Sequence, residues 1–154
     1  MRTQIDELAG LGEAWSHVAV FAAAVDANLD KWLTETYRLG LTEYRALGFL
    51  RVASDRELRV SELARRVGLN PSSVTRLVSR LESKGLAVRD VCADDGRGVY
   101  AVLSDRGEQL VREIDEPYGD RLRDVLSRPG VHFPDFDAEA VRSSLGEVRR
   151  LVGE

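Results

Sequence analysis

Gly68-Leu69-Asn70-Pro71-Ser72-Ser73-Val74-Thr75-Arg76-Leu77-Val78-Ser79-Arg80-Leu81-Glu82-Ser83-Lys84-Gly85 reads as a helix whose two ends are written into it. Asn70 suits a side-chain cap, Pro71 fits the first helical position, and Gly85 suits the left-handed residue that follows a helix. Val74, Leu77, Val78 and Leu81 recur at helical spacing and form one apolar stripe, so this side lies on a core. Ser72, Ser73, Thr75, Arg76, Ser79 and Arg80 fan around the other side with no acidic residue among them; Glu82 enters only in the last turn. Hydroxyls bond phosphates or base edges, and the planar fork of arginine matches guanine O6/N7 or phosphate. Taken alone, such a face is equally a solvated surface.

The neighbouring segments decide between these readings. Ser61-Glu62-Leu63-Ala64-Arg65-Arg66-Val67-Gly68 predicts a short capped helix that buries Leu63, Ala64 and Val67, which a glycine turns into the longer helix. Helix, tight turn and second helix make a helix-turn-helix unit, whose second helix enters a major groove. Beyond Gly85, Leu86 to Val91 and Val99 to Leu103 are β-rich runs. Between them, Cys92-Ala93-Asp94-Asp95-Gly96-Arg97-Gly98 is polar enough for a hairpin tip, so the pair reads as a wing. An arginine there, Arg97, suits a minor groove, with Asp95 placed to hold it by a charge-assisted bond.

In this order and spacing the residues resemble the multiple-antibiotic-resistance (MarR) regulators, which are winged helix-turn-helix dimers. The resemblance runs through Leu41-Thr42, Ser61-Glu62-Leu63-Ala64, Ser73-Val74-Thr75-Arg76-Leu77-Val78, Leu81-Glu82-Ser83-Lys84-Gly85-Leu86, Asp95-x-Arg97 and Leu103-Ser104-x-x-Gly107, covering about residues 41 to 107. It implies that Ser72, Ser73, Thr75, Arg76, Ser79 and Arg80 face the major groove, and that Arg97, braced by Asp95, reaches the minor groove. The position between Asp95 and Arg97 is often basic in the family and here is Gly96, which weakens the expected phosphate contact of the wing. The implied fold is mainly α with a small β-wing (α+β): a single unit over 1–154, with a winged helix-turn-helix lobe at 41–104 and dimerisation helices at 1–40 and 105–154.

Composition agrees with a small regulator. At 154 residues and 44% hydrophobic content the chain can bury a core. The net charge of −4 is distributed unevenly: residues 41–104 hold eleven Lys/Arg and eight Asp/Glu, a net +3, which leaves −7 elsewhere. Nucleic-acid affinity follows the local basic footprint more than the total. No apolar run is read as approaching the roughly 20 residues of a membrane span, and no signal-peptide pattern opens the chain, so a cytoplasmic protein without membrane contact is expected. One cysteine excludes a disulfide framework within the chain and a cysteine-rich zinc site.

The flanks predict packing helices. Leu8, Leu11, Trp15, Val18, Ala22, Val25, Leu29 and Trp32 advance by alternating threes and fours, the spacing of a helix-helix seam that needs a partner surface. Val141, Leu145, Val148 and Val152 form a shorter stripe behind a cap at Asp137. Ser104 opens a helix in which Pro117 and Gly119 are expected to kink or interrupt the chain, and residues 127–136 read as a loop.

The function expected from this is a homodimeric repressor that binds double-stranded DNA at a pseudo-palindromic operator and is released by a small-molecule inducer. By resemblance, the inducer crevice lies where the first two helices meet the fifth. Trp15, His17, Trp32, Tyr37 and Tyr44 are the aromatic and hydrogen-bonding candidates nearby, but the two tryptophans sit on the packing stripe, and no pocket residue is assigned. Two alternatives stay open: a redox switch at Cys92, whose neighbours Arg89 and Arg97 favour a thiolate while Asp90, Asp94 and Asp95 oppose it, and a protein-binding module of winged-helix shape. No enzyme is expected. His17 and His132 are far apart, and there is no nucleophile motif, no metal-spaced cluster and no phosphate-binding loop, so neither metal nor cofactor is expected.

Overall fold

The computed structural model describes residues 3–91 and 98–153. Among these residues, seven helices and three short strands follow one another: α1 (Gln4–Tyr37), α2 (Leu41–Val52), a 3-10 turn (Ser54–Arg56), β1 (Glu57–Arg59), α3 (Val60–Val67), α4 (Pro71–Ser83), β2 (Ala87–Val91), β3 (Val99–Leu103), α5 (Asp105–Ser127), α6 (Pro129–His132) and α7 (Ala138–Val152). The fold is mainly α with a small antiparallel sheet, as the sequence predicts. The chain forms two compact units: residues 30–119 in one, residues 1–29 and 120–154 in the other. Helices α1 and α5 each contribute to both.

In the 30–119 unit, α3 and α4 are each closed by a glycine of positive φ. Gly68 (φ 78°) lets the N–H groups of Gly68 and Leu69 both reach the Ala64 carbonyl at 2.9 Å. Gly85 (φ 72°) does the same after α4, sending its N–H to Glu82 and that of Leu86 to Leu81, both at 2.9 Å. Asn70 caps α4 by accepting from the Ser73 N–H at 2.8 Å, with Pro71 at the first turn. No side chain caps α3, however; Ser61 lies inside its first turn, and Val67 is only partly buried. Leu63 and Ala64 of α3 and Val74, Leu77, Val78 and Leu81 of α4 join Leu47, Leu50, Leu86, Ala101 and Ile114 in the core.

The sheet has the order β1-β3-β2, so β3 pairs on both sides, with Ala101 opposite Leu58 and Arg89. β1 is not predicted by the sequence. Its three residues Glu57, Leu58 and Arg59 carry no strand signature of their own and become a strand only by pairing with β3.

A polar clamp joins α2 and the turn after it to α5. Tyr44 Oη donates to Asp115 Oδ1 at 2.7 Å, Arg51 donates to the same carboxylate, and Arg56 donates to Glu108 (2.9 Å) and Asp105 (3.0 Å). Burial, reinforced by the Asp115 bond, pushes the Tyr44 hydroxyl well above its ordinary value. The Arg56 bond holds Glu108 below the usual carboxylate range. A depressed acid stabilises the fold above its unfolded pKa, and the clamp therefore weakens as pH falls through the lowered value.

α5 runs unbroken through Pro117, where a kink or an interruption is expected from sequence, so the interruption does not occur. Val111 and Ile114 before the proline and Val125 after it are all buried. This anchoring on both sides outweighs the bond that proline removes. The boundary between the two units falls directly after Gly119.

In the other unit, Phe21 meets Phe133 and Phe136 edge to face at 5.8 and 6.1 Å, which gives residues 127–136 a packed role and includes the short helix α6. Asp137 caps α7 through the N–H groups of Glu139 and Ala140, and His17 Nδ1 lies 3.1 Å from the buried Ser144 hydroxyl. The stripe expected on α1 divides. Val25 and Leu29 are buried, together with Ala14 and Phe21, but Leu8, Leu11 and Trp15 face outward, Trp15 at 58% exposure. Nor does the expectation of no span-length apolar run hold for α1: an 18-residue window has mean hydropathy 1.4, enough by length and composition to cross a bilayer.

Candidate nucleic-acid interface

The cap at Asn70 and the buried Val74, Leu77, Val78 and Leu81 fix which side of α4 faces out. Ser72, Thr75, Arg76, Ser79 and Arg80 are exposed and Ser73 is partly so, so the six residues singled out on this helix share one open face. Asp95 and Arg97, the expected wing contacts, lie outside the described residues, as does Cys92.

Three of the four hydroxyls on this face turn inward. Ser72 Oγ donates to Asn70 Oδ1 (2.8 Å), Thr75 Oγ1 to the Pro71 carbonyl (2.9 Å) and Ser79 Oγ to the Thr75 carbonyl (3.0 Å). The two arginines differ. Arg76 makes one long bond, 3.4 Å, to Ser73 Oγ and no ion pair among the described residues. Arg80 lies 3.8 Å from Glu43 Oε1. Its guanidinium is half exposed, so the head remains available while the carboxylate behind it limits its range.

Two supports of this face are absent from the sequence reading. Glu43, 7% exposed in the first turn of α2, accepts from Lys84 Nζ at 2.7 Å, and Lys84 also donates to the Arg38 carbonyl. An acid buried between two cations anchors the C-terminal end of α4. From β2, Arg89 donates through Nη2 to the Thr75 carbonyl and to Ser79 Oγ, both at 2.8 Å, and through Nη1 to Glu82. The signal for Arg89 was present in the alternation of β2, since the buried Ala87 and Arg89 share a face. Glu43 left no local trace, because its partners stand some forty residues away.

Among the described residues no group of three His, Cys, Asp or Glu side chains is placed to hold a metal ion. What the face offers is positive charge, hydrogen-bonding groups and a rigid backbone.

Residues 39–98, the segment that contains α2 to β2, match the MarR family. MarR-family members are transcriptional regulators, and the relatives carry that description. PecS of Dickeya dadantii strain 3937, an HTH-type transcriptional regulator, is 28% identical over 127 residues, or 82% of this chain and 74% of PecS. Among solved structures, the MarR regulator Sco3205 of Streptomyces coelicolor, determined in complex with DNA, superposes with a TM-score of 0.71 at 27% identity, covering 100% of this chain and 89% of Sco3205. AbsC, a MarR regulator from the same organism, superposes at 0.68 and 22% identity over 100% and 99% of the two chains, a likeness of fold.

Proposed function

We propose that this MarR protein is a homodimeric, sequence-specific DNA-binding repressor whose two α4 helices enter successive major grooves of a pseudo-palindromic operator, and that a small molecule releases it. The observation that carries this reading is the exposed, acid-free face from Ser72 to Arg80, held rigid by the Asn70 cap, the Glu43 ion pairs and Arg89. The relative Sco3205 in complex with DNA supports it. Dimerisation is supported by the apolar surface of the 1–29 and 120–154 unit, where Ile5, Leu8, Trp15, Val20, Leu145, Leu151 and Val152 are exposed. Exposed apolar side chains in such number mark a surface that another protein covers. A dimer bound across a promoter excludes polymerase, and release by an inducer rests on the resemblance to the family.

Gel shifts on the DNA upstream of the protein's own gene test the reading. Arg76→Ala is expected to lose about 1–3 kcal/mol of specific affinity while keeping its assembly state and melting temperature, because the residue is exposed and, among the described residues, its one hydrogen bond is the long one to Ser73. Unchanged affinity at matched salt would remove Arg76 from the contact surface. Arg97→Ala tests the wing: loss of one phosphate contact lowers the salt slope by about 0.9, whereas Asp95→Ala leaves the cation and the slope in place. A wild-type slope in Arg97→Ala would leave recognition to α4.

A further inference from the structure

We infer that Arg89 is a positioning residue for base reading: it holds the Ser79 hydroxyl as a hydrogen-bond acceptor toward DNA, so that Ser79 recognises an exocyclic amino group, adenine N6 or cytosine N4, at one position of the site. The inference rests on the reading of α4 as the DNA-contacting helix.

Ser79 Oγ stands 3.0 Å from the Thr75 carbonyl oxygen and 2.8 Å from Arg89 Nη2. A carbonyl oxygen only accepts and a guanidinium only donates, so chemistry sets the direction of both bonds. The single hydroxyl proton goes to Thr75, and Arg89 takes one of the two lone pairs. What Ser79 presents outward is the remaining lone pair. Phosphate oxygens are acceptors and gain nothing from it. In the major groove the donors are adenine N6 and cytosine N4, which makes an amino group the matching partner.

Ser72 and Thr75 also spend their protons inward, but each through a single hydrogen bond that a hydroxyl rotation exchanges for an outward one. Ser79 is held from a second side. Arg89 is itself fixed by Glu82, which pairs with its Nη1 and accepts from its backbone N–H at 3.3 Å, and the same Nη2 that meets Ser79 also meets the Thr75 carbonyl at 2.8 Å. Because Glu82 neutralises it, Arg89 is placed to orient a neighbour and not to release counterions from phosphate.

The test starts from duplexes selected out of a random pool by the wild-type protein, and uses Ser79→Ala, a surface change, to find the position whose base preference Ser79 sets. At that position the amino group is then deleted with purine in place of adenine or 2-pyrimidinone in place of cytosine. The deletion is expected to weaken wild-type binding roughly tenfold, the value of one hydrogen bond, and to leave Ser79→Ala unaffected. Arg89→Lys keeps the charge beside Glu82 but lacks the fork, and is expected to behave as Ser79→Ala does at that position, with other positions and the salt slope unchanged. If the lysine variant is unstable, the charge-balanced pair Arg89→Gln with Glu82→Gln takes its place with the same expectation. The inference is overturned if Ser79→Ala shifts no position, if the amino deletion is silent in the wild type, if the Arg89 variants keep the wild-type response to it, or if they lose affinity evenly at all positions, as a merely structural residue would. A wild-type protein that enriches no sequence would instead overturn the reading of α4 itself.

Discussion

Gly107→Ala is expected to unfold the winged-helix lobe well below the melting temperature of the parent chain. A Cβ at this position would overlap the Leu86 backbone carbonyl and stand 2.7 Å from Leu103 Cδ1. Neither neighbour can yield easily. The Leu86 carbonyl accepts from the Ser104 N–H at 3.1 Å, its own N–H is tied to Leu81, and Ser104 Oγ bridges the Gly85 carbonyl (2.7 Å) and the Gly107 N–H (3.0 Å). This knot joins the end of α4, the start of the wing and the start of α5. Overpacking a tight site costs roughly 1–3 kcal/mol, and a clash with fixed backbone lies at the upper end. Each kcal/mol lowers the midpoint of a domain this size by about 4–8 °C, so thermal denaturation followed by circular dichroism will read the effect. A melting curve superposable on that of the parent would mean that the Leu86 to Gly107 approach is looser than described.

Trp15→Asp is expected to convert the proposed dimer to a folded monomer. Trp15 is 58% exposed within its own chain, so a carboxylate there removes only part of its contacts within the monomer. In the proposed dimer the same residue is covered, and an isologous interface buries the new charge twice. An unpaired buried charge costs about 3–5 kcal/mol, enough to dissociate most dimers at micromolar concentration. Sedimentation should give the monomer mass with helical content retained. A dimer of unchanged stability would place the interface elsewhere, and an unfolded chain would mean that Trp15 supports its own unit.

The parts of this molecule that were legible in the sequence are those set by local rules. Asn70, Pro71 and Gly85 specify α4 through bonds that span no more than five residues, and Asp137 does the same for α7. The apolar stripe of α4 could be read because its period matches the helix, and the six face residues followed by subtraction. What was not legible depends on contacts between distant segments. β1 is a strand only beside β3, and Pro117 does not break α5 because buried residues on both sides hold it. Gly107 was visible as part of a recurring motif, yet its physical reason, the Leu86 carbonyl, lies in another turn of the chain. Glu43, which braces the candidate face from behind, falls in the same class; for Arg89 the alternation of β2 gives the strand face, but not the partners on α4 that it meets. On α1 the regular spacing of threes and fours predicts one packing stripe, yet only part of it, with Val25 and Leu29, is buried, because periodicity does not say which residues the chain itself covers.

Selection of duplexes from a random pool, followed by sequencing and alignment, tests the central claim most directly, because the sequences alone report both recognition and symmetry. A dimer that presents two α4 helices to successive major grooves predicts an inverted repeat with half-site centres one helical turn, about 10–10.5 base pairs, apart, degraded at defined positions in Arg76→Ala. A pool that stays random, or an enriched motif without two-fold symmetry, would contradict it.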